Sequence, residues 1–213
     1  MTIYEIFSSI QGEGCHMGIP VVFIRTNGCP VKCSFCDTAD SWSKNVPKWV
    51  KEETPDQVVA EAIKCWHEPQ TQGLGLYRMS PWAVITGGEP AIQKDLEKVV
   101  DRLHDFGFKV AIETSGYADV TRRLDWVAVS PKPKLHYKMC IPIDQINELK
   151  YVVTEDFDES VITEEIRNEM KGKIWLQPDG NNIPEMVKKC YDIAMRDPRL
   201  RCGIQMHKIY EVK

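Results

Sequence analysis

The apolar positions of this chain fall into short buried runs that alternate with amphipathic helical patterns. The run at residues 21–26 is β-branched and nearly all apolar, which is typical of a strand buried on both faces of a parallel sheet. Thr54-Pro55 supplies a helix cap and a first-turn proline, and apolar residues then recur at helical spacing through residue 67. The same patterns predict strands at 2–7, 82–86, 109–113, 126–129, 149–153, 174–177 and 201–205, and helices at 55–67, 96–106, 160–171 and 184–196.

This order of elements predicts the fold class. Strands that alternate with helices form right-handed βαβ units and a parallel sheet. A complete eightfold barrel usually needs about 250 residues, and this chain has 213. We therefore predict an α/β fold, an incomplete (open) TIM-like barrel with parallel strands and a reduced set of helices, in a single domain over residues 1–213. Residues 69–80, rich in Gly and Gln, are predicted to form a loop.

Polar signatures follow five of the predicted strands. Parallel α/β enzymes carry their active sites at the carboxyl ends of strands, so these segments are expected to meet at one edge of the sheet. Arg25 is a polar residue within a strand, since it interrupts an otherwise apolar run. The five segments are the cysteine-rich loop 29–36, Gly87-Gly88-Glu89-Pro90, Glu113-Thr114-Ser115, Ser130-Pro131-Lys132 and Gln177-Pro178.

Composition narrows the class of protein. Apolar residues make up 43% and charged residues 27%, as in ordinary globular enzymes. A net charge of −4 gives no electrostatic footprint for nucleic acid or an anionic membrane, so a small-molecule substrate is expected. The N-terminus lacks a signal-peptide pattern, no apolar run approaches a membrane span, and the eight cysteines include three within eight residues. We expect a cytoplasmic protein in a reducing compartment.

Cys29, Cys33 and Cys36 are the candidate metal ligands. Thiolates from one short loop form a soft-metal site, which favours zinc or an iron-sulfur cluster. A structural zinc site would need a fourth ligand, and no Cys or His follows at a finger-like spacing. Three ligands leave one coordination position open, which indicates chemistry at the metal.

The cysteine spacing, with Phe35 just before the last cysteine, resembles the signature of the radical S-adenosylmethionine superfamily. This resemblance implies a [4Fe-4S] cluster on Cys29, Cys33 and Cys36 whose fourth iron binds S-adenosyl-L-methionine. Gly87-Gly88-Glu89-Pro90 resembles the second motif of the superfamily, which contacts the methionine amino group.

Four further segments resemble the 7-carboxy-7-deazaguanine synthase family. They are Ile10-Gln11-Gly12-Glu13-Gly14, Asp37-Thr38, Ser130-Pro131-Lys132 and Gln205-Met206-His207-Lys208. The resemblance covers nearly the whole chain. It implies a homodimeric lyase with a reduced barrel and an electron donor such as flavodoxin or ferredoxin. Its reaction would convert 6-carboxy-5,6,7,8-tetrahydropterin to 7-carboxy-7-deazaguanine with loss of ammonia, a step toward queuosine and other 7-deazapurines of tRNA.

The resemblance also implies roles for individual residues, with the radical carried by S-adenosylmethionine rather than by a catalytic side chain. Thr38 would be a Mg²⁺ ligand, and Arg25 would grip the substrate carboxylate. A departure is Lys213, where the family often has a terminal proline whose carboxylate reaches the substrate. The cofactor contacts would be Phe35, Cys36, Asp37, Gly88, Glu89, Ser130, Pro131, Lys132 and Gln177. The substrate contacts would be Ile10, Gln11, Gly12, Glu13, Arg25, Thr86 and His207.

Two alternative functions remain open from the sequence. A glycyl-radical activating enzyme shares the cysteine spacing but acts on a partner protein, whereas the loop at 11–14 together with Arg25 suits a small anionic substrate. A zinc-binding module without catalysis would account for the three thiols, but it explains none of the polar segments at the strand ends.

Overall fold

The computed structural model describes residues 1–43, 45–67, 80–133, 137–180 and 183–213. Its strands form one sheet in the order β3-β1-β2-β4-β5-β6-β7-β8-β9. The strands are β1 Thr2–Ile10, β2 Pro20–Thr26, β3 Lys51–Glu52, β4 Trp82–Gly87, β5 Lys109–Thr114, β6 Trp126–Val129, β7 Glu148–Val153, β8 Ile174–Pro178 and β9 Leu200–Cys202. The helices are α1 Pro55–His67, α2 Leu96–Asp105, α3 Glu164–Glu169, α4 Ile183–Arg196 and α5 Met206–Ile209.

The sheet is parallel from β2 to β9, as the alternation of strands and helices predicted. β1 departs from that prediction, because it pairs antiparallel with both β2 and β3. β1 also extends past the predicted residues 2–7, since Ser9 and Ile10 pair with Val21 and Pro20. β3 and β9 lie at the two edges of the order, so the barrel is open.

The two faces of the sheet differ in character. Val22 and Ile24 of β2 pack into the large core that includes Val58 and Val59 of α1. The opposite face carries a small apolar cluster around Val21, Val84 and Ala111, and above it the strands present polar side chains. The prediction that residues 21–26 are buried on both faces is therefore only partly right: Phe23 and Arg25 on this inner face are half-buried.

Three other predicted segments need comment. The helix predicted at 160–171 is shorter, because Thr163 caps it at 3.3 Å from the N–H of Ile166 and the preceding residues form a separate 3-10 turn. The strand predicted at 201–205 is instead Leu200–Cys202, and the chain continues into α5. The loop predicted at 69–80 lies, apart from Ser80, outside the described residues.

The C-terminal segment returns from β9 to β1. The backbone N–H of Met206 donates to the Gly12 carbonyl at 2.9 Å, and the Lys213 side chain forms an ion pair with Glu5. This segment therefore covers part of the gap between the first and last strands. None of the helices in the described part of the chain is long and apolar enough to span a membrane.

Candidate active site

The three cysteines lie on the loop after β2, and all eight cysteines of the chain are free thiols. Lys32 in this loop has a φ of 51°, a left-handed conformation that few non-glycine residues adopt. The backbone of Val31 and Lys32 partly offsets the effect of burial on the pKa of the Cys29 thiol. Burial raises the pKa of the Cys29 and Cys33 thiols, so a bound cation or metal is needed to hold them as thiolates.

The turn at residues 87–90 lies against the cysteine loop. A Cβ on Gly88 would come within 2.1 Å of the Gly28 carbonyl oxygen, which also accepts the Glu89 N–H at 2.9 Å. Glycine is therefore required at position 88. The buried Glu89 carboxylate accepts hydrogen bonds from the hydroxyls of Thr114 and Ser115 and from the Ser115 N–H. Glu89 thus joins the ends of β4 and β5, and its predicted cofactor contact stays a prediction.

A cavity of about 690 Å³ opens beside the cysteine loop. It is bounded by residues 33–35 of that loop, residues 131–133 after β6 and residues 154–158 after β7. Its volume is in the range of small-molecule sites. A second groove, between residues 157–159 and α4, borders none of the predicted site residues.

Lys132 brings positive charge to the cysteine loop. Its Nζ donates to the Ser130 carbonyl at 2.8 Å and to the Ser130 hydroxyl at 2.5 Å, and it lies 5.8 Å from the centroid of the Phe35 ring. Burial lowers the pKa of Lys132, and negative charge on Cys33 and Cys36 opposes that shift. Of the three residues predicted after β6, Pro131 and Lys132 line the same cavity as the cysteine loop, and Ser130 holds the Lys132 ammonium.

Gln177 is buried at the end of β8, where no described residue forms a hydrogen bond with its side chain. Neither amide atom is satisfied by the described residues, although the side chain is only 4% exposed. Its strand neighbour Val152 lines the cavity beside the cysteines. An unpaired buried amide costs about 1–3 kcal/mol, which a bound ligand would recover. The orphaned amide supports a binding role for Gln177.

The loop after β1 crosses the inner face of the sheet. The Gln11 side chain is buried and its Nε2 donates to Glu113 of β5 at 3.1 Å. A Cβ on Gly12 would lie 2.1 Å from Nδ1 of His207, so the backbone of this loop packs directly on α5. Burial lowers the pKa of His207 and favours its neutral form.

A buried lysine connects this loop to two strands. Lys150 of β7 lies 3.2 Å from Glu13 and forms a closer ion pair with Glu113. Burial raises the pKa of Glu113 to about 7 despite the lysine. Burial alone would also raise the pKa of Glu13, but Lys150 and the Gln205 amide outweigh it and lower that pKa. The interior therefore holds two carboxyl groups with different proton affinities.

Gln205 joins the cysteine loop to the loop after β1. Its Nε2 donates to Glu13 at 2.8 Å and to Asp37, directly after Cys36, at 3.1 Å. Lys208 lies 3.8 Å from the same Asp37 carboxylate. The predicted cofactor loop and the predicted substrate loop therefore meet at one amide.

Arg25 projects from the inner face of β2. Its Nε lies 3.3 Å from Glu5, but at an angle that makes no hydrogen bond, so this buried N–H has no hydrogen-bond partner among the described residues. Its guanidinium carbon lies 5.5 Å from the Phe7 ring centroid. Thr86 of β4 is the strand partner of Arg25. Ile10 is the last residue of β1, directly before the loop that carries Gln11, Gly12 and Glu13. The Arg25 guanidinium is thus ion-paired with Glu5, and its planar N–H edge would also suit a carboxylate ligand.

The donor set fits the groups that the motifs imply. Three free thiols on one loop can each bind one iron of a cluster, and in the described residues no three His, Cys, Asp or Glu side chains are arranged to hold a single metal ion. The cavity and the orphaned amide of Gln177 fit a bound S-adenosylmethionine. The residue assignments themselves remain predictions.

Three interior residues were missed as site residues at the sequence level. Glu113 was noted only as part of a strand-end segment, and Glu148 and Lys150 were not singled out. The signal was present in β7, where Glu148 and Lys150 alternate with Leu149 and Tyr151, a pattern that predicts one polar face. The strand predicted at 149–153 began one residue too late to show it.

Comparisons with known proteins agree with this geometry. The model of the Radical SAM superfamily matches residues 23–131. The chain is 35% identical over 211 residues to the 7-carboxy-7-deazaguanine synthase of Bacteroides thetaiotaomicron, covering 99% of this chain and 98% of that protein. The crystal structure of QueE from Escherichia coli matches with a TM-score of 0.71 and 30% identity, over 97% of this chain and 94% of that one. The predicted superfamily and open-barrel fold are confirmed, and the chain belongs to the 7-carboxy-7-deazaguanine synthase family of the radical SAM superfamily.

Proposed function

We propose that this chain converts 6-carboxy-5,6,7,8-tetrahydropterin to 7-carboxy-7-deazaguanine with loss of ammonia, as a carbon-nitrogen lyase in queuosine and 7-deazapurine biosynthesis. Full-length similarity to proteins named 7-carboxy-7-deazaguanine synthase supports this function. The observation that carries it is the Gln205 amide, which joins Asp37 beside the cysteines to Glu13 in the polar loop. A cluster-bound cofactor and a small polar substrate would therefore share one interior.

Cys29, Cys33 and Cys36 would hold the [4Fe-4S] cluster, and residues 130–132 with Gly88 and Gln177 would hold S-adenosylmethionine. When bound, these two groups supply the 5′-deoxyadenosyl radical that takes a hydrogen atom from the substrate. The protein side chains then have to orient the substrate and exclude water from it.

The inner face supplies groups for each part of a carboxypterin. The planar guanidinium of Arg25 suits the substrate carboxylate, and Thr86 beside it would contact the same end. Glu13, held as a carboxylate by Lys150, suits the N–H groups of the pterin edge. Gln11, Gly12 and His207 would pack around the ring. Glu113, with its pKa near 7, is suited to hold or release a proton as ammonia departs.

Thr38 is our candidate Mg²⁺ ligand. Its hydroxyl lies 3.7 Å from the Cys36 sulfur, and its carbonyl accepts the Ser41 hydroxyl at 2.7 Å, which fixes the turn. Mg²⁺ takes oxygen ligands and keeps several waters, so one hydroxyl together with a substrate carboxylate is a suitable set. The Thr38→Ala variant is expected to lose most turnover and its response to added magnesium. Unchanged turnover and response would show that Thr38 has no such role.

Anaerobic incubation with S-adenosylmethionine, a reductant and the carboxypterin tests the function. We expect 7-carboxy-7-deazaguanine and released ammonia in equal amounts. Mass spectrometry measures the deazaguanine, and an ammonia assay measures the ammonia. The Arg25→Lys variant, which keeps the charge but not the planar fork, should lose most of this turnover. Cofactor cleavage without deazaguanine would instead favour a glycyl-radical activating enzyme.

We also propose a cytoplasmic homodimer with a single radical SAM domain over residues 1–213, reduced by a flavodoxin or ferredoxin. These statements come from the family resemblance. Size-exclusion chromatography with light scattering tests the dimer, and reduction of the holoenzyme by each purified donor tests the electron source.

A further inference from the structure

Trp42 lies next to the cysteine loop and donates a hydrogen bond to one of its ligands. The indole Nε1 is 3.3 Å from the Cys36 sulfur, a normal distance for a bond to sulfur. The donor belongs to a side chain and not to the backbone. The bond to Cys36 can therefore be removed by a side-chain substitution.

The position of Trp42 is fixed by a turn anchored on the buried Ser41. Residues 39–42 form a 3-10 turn in which both the backbone N–H and the hydroxyl of Ser41 donate to the Thr38 carbonyl, at 2.9 and 2.7 Å. The Ser41 carbonyl accepts the N–H of Gly28 at 2.7 Å, and Ser41 is only 1% exposed. This bond links the residue before Cys29 to the residue before Trp42. The cysteine loop is thereby closed, with the indole held against Cys36.

A hydrogen bond to a cluster ligand changes the reduction potential of the cluster. Reduction adds negative charge, part of which resides on the ligand sulfurs, and an N–H dipole aimed at a sulfur stabilises the reduced form more than the oxidised form. We propose that Trp42 is a positioning residue that raises the potential of the cluster through its bond to Cys36 and so favours electron entry. This proposal concerns the cluster alone and does not depend on the pterin as substrate.

The test is Trp42→Phe in the reconstituted holoenzyme without substrate, with Trp49→Phe as the matched control. Trp49 is 63% exposed and lies against Tyr4, so the same substitution there leaves the cysteine loop untouched. We expect the midpoint potential of Trp42→Phe, measured by redox titration with EPR detection of the reduced cluster, to become more negative. A tenfold change in the reduction equilibrium corresponds to about 59 mV for one electron. Trp49→Phe should match the parent.

A potential for Trp42→Phe equal to that of the parent, with iron and sulfide contents also equal, would overturn the proposal. If Trp42→Phe fails to hold its cluster, benzothienylalanine at position 42 replaces the N–H by sulfur and keeps the bicyclic shape. This second protein is expected to show the same negative shift, and an unshifted potential in it would equally refute the role of the N–H.

Discussion

Gly14 lies in the loop after β1, where its backbone approaches Glu148 too closely for any side chain at this position. Its φ is +68°, and a Cβ at this position would lie 2.5 Å from a carboxylate oxygen of Glu148. The Glu148 carboxylate accepts the Cys15 N–H at 2.8 Å and the Trp126 indole N–H at 3.3 Å. The loop carrying Glu13 is therefore attached to the first residue of β7 by a hydrogen bond from Cys15, two residues after Glu13.

The substitution Gly14→Ala tests this attachment, and Gly18→Ala is its control. Gly18 has a similar φ of +88° in the same loop, but a Cβ there meets nothing within 4 Å. Both variants should lose about 1–2 kcal/mol of stability from the left-handed backbone. Only Gly14→Ala should also raise the KM for the carboxypterin, by about tenfold, because Glu13 is displaced. Thermal unfolding and steady-state kinetics separate the two effects, and an equal KM in both variants would contradict the attachment.

Single residues differed in how far sequence could predict them. Arg25 was found because a charged residue in an apolar run is itself a local signal. Trp42 carries no such signal, and Gly14 is recognisable only as part of a motif, since the contacts that both residues make form only in the fold. Glu148, for example, meets Cys15 across 133 positions of the chain.

At the level of elements, Asp197 holds three of them together. Asp197 directly follows α4. Its carboxylate lies 2.5 Å from the guanidinium of Arg167 in α3 and 2.8 Å from that of Arg199, the residue before β9. Hydrogen bonds from Arg199, and also from Arg167, hold the pKa of Asp197 well below its usual range. Partial burial acts in the opposite direction but is outweighed. This network stabilises the packing of α3, α4 and β9 at the end of the sheet.

The variant Asp197→Asn is expected to lose about 2 kcal/mol of unfolding free energy at pH 7, less than for a fully buried pair. Because the folded pKa lies below the unfolded value, the stabilisation is complete above the unfolded pKa and is lost as pH falls through the folded one. The difference in unfolding free energy between parent and variant should therefore be about 1 kcal/mol smaller at pH 3 than at pH 7. Urea denaturation at both pH values measures it. Asp192→Asn, in the exposed pair with Lys188, should cost about 0.5 kcal/mol or less.

The elements themselves were predictable where their signals are local. The bounds of α1 were right because a cap, a first-turn proline and helical spacing all lie within the helix. The end of β9 was missed because it depends on Gly203 packing against Gln177, which the sequence does not show. The direction of β1 was missed for a similar reason, since antiparallel pairing with β2 and β3 is a tertiary choice.

Across the whole molecule, the interior is divided between an apolar base and a charged middle. Val21, Val84 and Ala111 form the base, while Glu113, Lys150 and Glu13 bring charges from β5, β7 and the loop after β1 to one point. Such a group is costly to bury, and it persists here as an ion-paired network. The open barrel therefore has a polar interior whose protonation is coupled to folding.

The titration of Glu113 determines whether the stability of the folded protein rises or falls with pH. Its folded pKa of about 7 lies above the unfolded value of 4.5, so the folded protein retains a proton that the unfolded chain releases. Stability from this group is complete below about pH 4.5 and is lost as pH rises to about 7. His16 and His207 act in the opposite direction, because burial lowers their pKa values and their folded forms lose protons first.

Comparison of the parent with Glu113→Gln isolates the carboxyl group, because both proteins keep the two histidines. The parent is expected to lose on the order of 2 kcal/mol relative to Glu113→Gln between pH 5 and pH 7.5, since only the parent has to bury an ionised carboxylate at the higher pH. Denaturant unfolding at intervals across this range measures the difference. Glu165→Gln, at an exposed position on α3, should give a curve parallel to that of the parent. A curve for Glu113→Gln that also runs parallel would show that Glu113 ionises at its ordinary pKa, and the interior network would then hold both carboxylates in their charged form throughout.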